Sequence, residues 1–158
     1  MASSIFDKQV SLRPSTMKTV AEQRFADAEM LRCSKVNARA NGAAYLVGFV
    51  VEILLKAKLV EKYSAIAKLP QHAVKDDHRE IWSLIWRRHD LEGMLSQLAE
   101  LEAYLEAKGQ RDGYDYVGQL KKICATWTIQ ARYSSRNIPM SEAADLVERV
   151  RKLKEQLK

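Results

Sequence analysis

The side chains best suited to binding a phosphate lie late in the chain, at Arg132, Tyr133, Arg136 and Asn137. If this stretch is helical, Arg132 and Arg136 lie one turn apart and present two guanidinium groups on one face. A guanidinium group can bind a phosphate through two parallel hydrogen bonds, so the stretch is a candidate site for RNA or a nucleotide. The alternative is a helix end, where cations interact favourably with the helix dipole and Tyr133 packs in the core.

A second candidate for chemistry is His89, which Asp90 follows directly. A neighbouring carboxylate can orient an imidazole for acid–base catalysis, and Arg87 and Arg88 add positive charge beside it. The alternative is that Asp90 caps the helix that begins after it, because Asp before an apolar periodic segment is a common helix start. His89 is therefore a catalytic candidate, with a structural interpretation beside it.

Four residues between the predicted helices superficially resemble metal ligands: His72, Asp76, Asp77 and His78. Their spacing matches no established metal motif, and a polar linker explains them more simply. The chain has two cysteines, which form no CxxC or Cys/His pattern. We therefore predict no metal, no cofactor and no disulfide framework.

Composition and charge restrict the class of protein. The chain has 158 residues, of which 47% are hydrophobic and 29% charged, and this is enough to bury the core of one domain. Its formal net charge of +6 favours an anionic partner. Residues 1–14 lack the uninterrupted apolar segment of a signal peptide, so we predict an N-terminal arm over 1–14, one domain over 15–158 and a cytoplasmic location.

Apolar residues recur at helical spacing along most of the chain, and no alternating strand pattern occurs. The spacing predicts long helices over residues 16–36, 41–63, 91–109, 114–133 and 140–157, with a short helix near 78–86. Trp82 and Trp86 share a face of the short helix, and we interpret them as core or dimer contacts, with base stacking as the alternative. The predicted fold class is all-α, an up-and-down helical bundle of about five long helices plus a short one.

The helix that contains Ala43 to Val51 is apolar on every face, which predicts that other helices surround it. Glu52 and Lys56 interrupt the apolar run well before it could span a membrane, so we predict no membrane association. Arg24 falls on the apolar stripe of the first helix, where a charge requires a partner. We therefore predict a buried Arg24–Glu52 ion pair, with a Glu52–Lys56 pair as the alternative.

Four features of the sequence, taken together, resemble the HEPN family. The most specific is the run from Gly42 to Ala57, which follows the pattern Gly-x-x-Tyr-Leu-x-Gly-x-x-Val-Glu-x-x-Leu-Lys. An Arg on the first helix, the tripeptide His89-Asp90-Leu91 and the pair Arg132-Tyr133 occur in the expected order around it. The resemblance covers residues from about 16 to 150.

The resemblance implies an up-and-down helical bundle that is commonly a homodimer. Such domains occur in RNases of toxin–antitoxin and defence systems and as partners of small nucleotidyltransferases. The nuclease motif of the family is an Arg followed about four to six residues later by a His. Arg132 matches the Arg, but no His follows His89 anywhere in the chain, so the motif is incomplete.

Three functions remain open at this point. The first is a HEPN-like accessory module that binds RNA or a nucleotide through Arg132 and Arg136 and acts with a nucleotidyltransferase or a toxin–antitoxin system. The second is a metal-independent endoribonuclease with a displaced catalytic set of Arg132 and His89. The third is a purely structural dimerisation module.

Overall fold

The computed structural model describes residues 13–127 and 137–158. This part of the chain is all-α and contains no strand, which confirms the predicted fold class. Its α-helices are α1 (Pro14–Cys33), α2 (Ala40–Lys62), α3 (Ser64–Ala67), α4 (Arg79–Trp86), α5 (Leu91–Ser96), α6 (Ala99–Asp112), α7 (Tyr116–Thr126) and α8 (Met140–Leu157). Single 3-10 turns occur at Asn37–Arg39, Gln71–Ala73 and Asp76–His78.

Helix α2 lies at the centre of the bundle. Its side chains are buried around most of its circumference, and α1 and α8 make extensive contacts with it. Helix α1 contributes a stripe at three- and four-residue spacing, namely Met17, Ala21, Phe25 and Ala28. The apolar character of α2 on all sides therefore follows from its position between other helices.

The connection between α1 and α2 begins earlier than the sequence predicts. Helix α1 ends at Cys33, and Lys35 adopts a left-handed conformation with φ of 54°. Ser34 closes the helix end, because its hydroxyl donates to the carbonyl of Leu31 and its amide donates to that of Met30. A 3-10 turn then leads directly into α2.

The single helix predicted over 91–109 is two helices, α5 and α6. The chain leaves helical geometry at Leu98, where φ is −123° and ψ is 49°, and the Leu98 side chain is buried. Helix α6 continues past Gly109 to Asp112, and Gly113 caps its end with a φ of 66°, which carries no steric cost without a Cβ atom. The leucine stripe is buried on both sides of the break, so its spacing alone did not reveal two helices.

Helix α7 also differs from its prediction over 114–133. It begins at Tyr116, after Asp115 caps it, and ends at Thr126, since Trp127 has an extended backbone with ψ of 127°. Residues 128–136, like residues 1–12 of the predicted arm, lie outside the described part of the chain. Helix α8 agrees closely with its prediction.

None of the helices in the described ranges is both long enough and apolar enough to cross a membrane.

Candidate functional site around Glu52 and His89

Glu52 is a carboxylate at the centre of the bundle, with only 1% of its side chain exposed. Its Oε1 atom accepts a hydrogen bond of 2.7 Å from Nζ of Lys56, one turn later on α2. Nδ1 of His89 lies 2.8 Å from Oε1 and 3.0 Å from Oε2 of the same carboxylate. Because an ionised carboxylate only accepts hydrogen bonds, we assign the imidazole proton to Nδ1.

The predicted Arg24–Glu52 pair is wrong. Nη1 of Arg24 instead forms an ion pair of 2.8 Å with Oδ2 of Asp27 on the same helix. Arg24 lies at the edge of the α1 stripe, and its long side chain reaches solvent, where 42% of it is exposed. The alternative Glu52–Lys56 pair is the one that forms, with His89 as an additional partner.

His89 lies in the short connection between α4 and α5, directly before Asp90. Oδ1 of Asp90 accepts a hydrogen bond of 2.9 Å from the amide of Gly93, so Asp90 caps α5 and the structural interpretation of this residue is confirmed. The sequence therefore identified a His that a carboxylate holds but assigned it the wrong carboxylate. The correct partner is distant in sequence and becomes a neighbour only through the packing of the α4–α5 connection on α2.

The imidazole of His89 connects the buried carboxylate to solvent. About 41% of the His89 side chain is exposed, compared with 13% of Lys56. Within the described residues, Nε2 of His89 forms no hydrogen bond. With Nδ1 protonated toward Glu52, Nε2 is an acceptor that can take a proton from a ligand or, once protonated, donate to a phosphate.

Gly48 lies one turn before Glu52 on α2 and gives Trp127 room to pack. A Cβ atom at Gly48 would collide with Cδ1 of Trp127, so only glycine fits beneath the indole ring. The same indole lies 5.8 Å from the Tyr45 ring, measured between centroids. Trp127 and His89 thus contact adjacent turns of one face of α2. A glycine within a buried helix was the sequence signal for this close approach.

The predicted phosphate-binding residues Arg132, Tyr133 and Arg136 lie outside the described part of the chain. Asn137 is described and exposed. The residue after it, Ile138, donates its amide to Oδ1 of Asn41 over 2.9 Å, at the start of α2.

Trp82 and Trp86 hold the segment that connects α3 to α4. Nε1 of Trp82 donates to the carbonyl of Leu69 at 3.0 Å, and Nε1 of Trp86 donates to that of Ala67 at 3.2 Å. Their rings also contact each other, with centroids 6.2 Å apart. This structural use fits the interpretation of both residues as packing contacts, although Trp86 remains 42% exposed.

Among the described residues, no group of three or more His, Cys, Asp or Glu side chains is arranged to hold a metal ion. Nε2 of His78 lies 3.7 Å from Oδ2 of its neighbour Asp77.

Comparisons with protein-family models, with curated proteins and with solved structures find no match to this chain. The HEPN resemblance stays a prediction from the residues that carry it.

Proposed function

We propose that this chain is a HEPN-like module that binds RNA or a nucleotide through a basic surface around Arg132, Arg136 and Asn137. The observation that carries the proposal is the hydrogen bond between Glu52 and His89, because it joins two motifs of the resemblance that lie far apart in sequence. A buried carboxylate requires hydrogen-bond donors, and here one donor comes from the second of these motifs.

The distribution of positive charge supports the same proposal. Lys35 and Arg39 are exposed in the connection that leads into α2, and neither forms an ion pair with a carboxylate of the described residues. Asn41 follows them and binds the backbone of Ile138, next to Asn137. Uncompensated cations near one end of a helix bundle favour an anionic ligand, consistent with the net charge of +6.

The binding proposal is tested by fluorescence anisotropy with a labelled single-stranded RNA and a labelled adenine nucleotide. The double variant Arg132→Ala/Arg136→Ala is compared with Arg111→Ala/Lys122→Ala, which removes two exposed cations from α6 and α7. We expect the first pair to weaken binding at least about tenfold, and to flatten the salt dependence of RNA binding, while the second pair changes affinity less than about twofold. Equal effects of the two variants would contradict a localised site.

An accessory role follows from the incomplete nuclease motif. We propose that the module is a homodimer that acts with a small nucleotidyltransferase or within a toxin–antitoxin system. Light scattering after size exclusion measures the oligomeric state, and co-purification with the product of the adjacent reading frame tests the partner. A monomer that binds no such product would contradict this part of the proposal.

A second function, metal-independent endoribonuclease activity, is favoured by the way Glu52 holds His89. In this mechanism Nε2 takes the proton of a ribose 2′-hydroxyl, whose oxygen attacks the adjacent phosphorus. The bond from phosphorus to the 5′-oxygen breaks, the 5′-oxygen takes a proton from water, and a 2′,3′-cyclic phosphate forms, with Arg132 stabilising the added negative charge.

The two functions are separated by incubating labelled RNA with the protein in EDTA. The catalytic proposal expects cleavage that ends in a cyclic phosphate and that is lost, by at least about a hundredfold, in both His89→Ala and Arg132→Ala. If the unmodified protein binds RNA without cleaving it, the endoribonuclease function is excluded and the accessory function remains. If the protein neither binds nor cleaves RNA at low salt, where electrostatic binding is strongest, only the function of a structural dimer remains.

A further inference from the structure

A cavity of about 810 Å³ lies beside α4 and is open to solvent. We call it the α4 groove. Its walls are the segment from Gln71 to Asp76 and one face of α4 with the residues that follow, including Trp82, Arg87 and Arg88. Its volume is in the range of cavities that bind small ligands.

Arg87 is held in the groove by neutral partners. Its Nη2 atom donates to Oε1 of Gln71 at 2.6 Å, and its guanidinium group lies 5.4 Å from the centroid of the Trp82 ring. Both contacts fix the position of the side chain, and neither cancels its charge. A guanidinium group has five N–H donors, so most of those on Arg87 remain for an anion.

The other two arginines of the groove differ in how far acidic side chains neutralise them. Arg79 forms an ion pair of 2.9 Å with Asp76. Nη1 of Arg88 is 3.9 Å from Oε1 of Glu80, which is too long for a hydrogen bond. Arg87 and Arg88 both line the groove, and the long ion pair of Arg88 with Glu80 leaves its N–H donors available to a phosphate.

The wall of the groove is anchored before any ligand arrives. The hydrogen bond from Trp82 to the carbonyl of Leu69 fixes the indole against the α3–α4 connection. Arg87 covers only part of the Trp82 ring, so a base that enters the groove stacks beside the guanidinium group, on the rest of the indole. Gln71 and Ser83 add polar groups to the same lining.

We infer that the α4 groove binds a phosphate together with its attached base, using Arg87 and Arg88 for the phosphate and Trp82 for the base. The ligand is a free nucleotide or one nucleotide of a single-stranded RNA, since both have this chemistry. The inference rests on the proposed function and adds to it a second contact, made by residues other than Arg132 and Arg136. His89, the residue that Glu52 holds, follows Arg88 directly in the sequence.

The test uses the whole chain and three probes: AMP, inorganic pyrophosphate and an eight-nucleotide oligouridylate. The indole N–H signals of the three tryptophans are observed by NMR and assigned with Trp82→Phe. The affinity of each probe is then compared between Arg87→Gln and Arg111→Gln, a control that removes the same charge from an exposed position on α6.

We expect AMP or the oligouridylate to shift the Trp82 indole signal and to bind at least tenfold more weakly to Arg87→Gln, while Arg111→Gln binds normally. Binding of AMP identifies a nucleotide site, and binding of the oligouridylate alone identifies a strand. Pyrophosphate that binds as tightly as AMP would overturn the role of the base. A Trp82 signal that does not move at saturation, or an equal loss of affinity in Arg87→Gln and Arg111→Gln, would overturn the assignment of the groove as a binding site.

The failure of this inference is distinguishable from the failure of the proposed function. If the probes bind to the unmodified protein, and binding is lost in Arg132→Ala/Arg136→Ala but not in Arg87→Gln, the proposed function stands and the inference about the groove is overturned. If the unmodified protein binds none of the three probes at low salt, both are overturned. Far-UV circular dichroism of Arg87→Gln confirms that the exposed substitution leaves the helices folded.

Discussion

Buried Glu52 obtains its hydrogen bonds from Lys56 and His89, whereas Arg24 reaches solvent and pairs with Asp27. The two charges therefore contribute differently to the free energy of unfolding. Removing the charge of a buried carboxylate that accepts several hydrogen bonds is costly, because its donors lose an ionised acceptor. An exposed ion pair within one helix contributes little.

We predict that Glu52→Gln lowers the free energy of unfolding by about 1–3 kcal/mol, while Arg24→Gln lowers it by no more than about 0.5 kcal/mol. Urea unfolding followed by circular dichroism measures both. A large loss in Arg24→Gln would restore the pairing that the sequence predicted. A loss of only a few tenths in Glu52→Gln would show that the carboxylate is not a structural centre.

Two glycines of α2 provide a second prediction at the scale of single residues. A Cβ atom at Gly48 would collide with Trp127, whereas one at Gly42 would lie 3.2 Å from Cδ1 of Leu31, the end of a flexible side chain. Alanine favours a helix over glycine by about 1 kcal/mol. Gly48→Ala should therefore destabilise the fold by about 1–3 kcal/mol through overpacking, and Gly42→Ala should be neutral or stabilising.

The same urea experiment measures this pair, and the near-UV circular dichroism of Trp127 provides a further signal for Gly48→Ala. If Gly48→Ala were as stable as Gly42→Ala, the indole would have to pack elsewhere. The contact between Trp127 and α2, which brings the end of α7 to the central helix, would then be incorrect.

At the scale of elements, two short helices begin with the same device. Asp90 and Asp115 each accept a hydrogen bond from the amide of a glycine three residues later, Gly93 and Gly118. This contact satisfies one of the amides that have no partner within the first turn. Neither α5 nor α7 is long, so the caps matter for where each helix begins.

We expect Asp115→Ala to lower the free energy of unfolding by about 1 kcal/mol. Asp115→Asn should keep most of the stability that the cap contributes, because asparagine caps a helix as well as aspartate does. Asp115 tests capping alone, since its neighbours take no part in the candidate site. Thermal unfolding of the two variants provides the measurement. Equal losses would indicate that charge, and not the hydrogen bond, stabilises the start of α7.

Element boundaries show where sequence reasoning stopped. The cap at Asp90 was predictable because an Asp before an apolar period is a local signal. The break at Leu98 was not, because the leucines before and after it retain helical spacing and are buried on both sides. Whether such a stripe lies on one helix or on two depends on the helices that it packs against, here α2 and α7.

For the whole molecule, ion pairs connect the first helix to the last. Glu29 lies 2.8 Å from Nη2 of Arg151, and Glu22 lies 3.1 Å from Nζ of Lys154. Hydrogen bonds from Arg32 and then Arg151 lower the pKa of Glu29, against the raising effect of burial. Burial alone would raise the pKa of Glu22, but hydrogen bonds from two lysines outweigh it and the net shift is also downward.

A carboxylate whose pKa is lower in the folded state stabilises the fold above its unfolded pKa. This stability is lost as the pH falls below the ordinary value of 4.5 and through the lowered folded pKa. We therefore predict that the free energy of unfolding declines on acidification in this window and that Glu29→Gln makes the decline shallower. The contribution at neutral pH should not exceed about 1 kcal/mol, because the pair is partly exposed.

Urea unfolding at a series of pH values between neutrality and strong acid measures this slope. Glu106→Gln is the matched control, since Glu106 is exposed and forms no ion pair within the described ranges. If the two variants have the same pH profile, the ion pairs between α1 and α8 do not stabilise the fold.

The sequence by itself determined the all-α class, the central position of α2 and the choice of His89 as a reactive candidate. These features depend on local periodicity and residue type, which a single chain displays directly. Only the tertiary structure decided which carboxylate holds His89, that Arg24 faces solvent and that Arg87 and Arg88 line a groove beside Trp82. The physical reason is that each of these depends on side chains from separate elements, and packing, not spacing along the chain, chooses the partners of a buried charge.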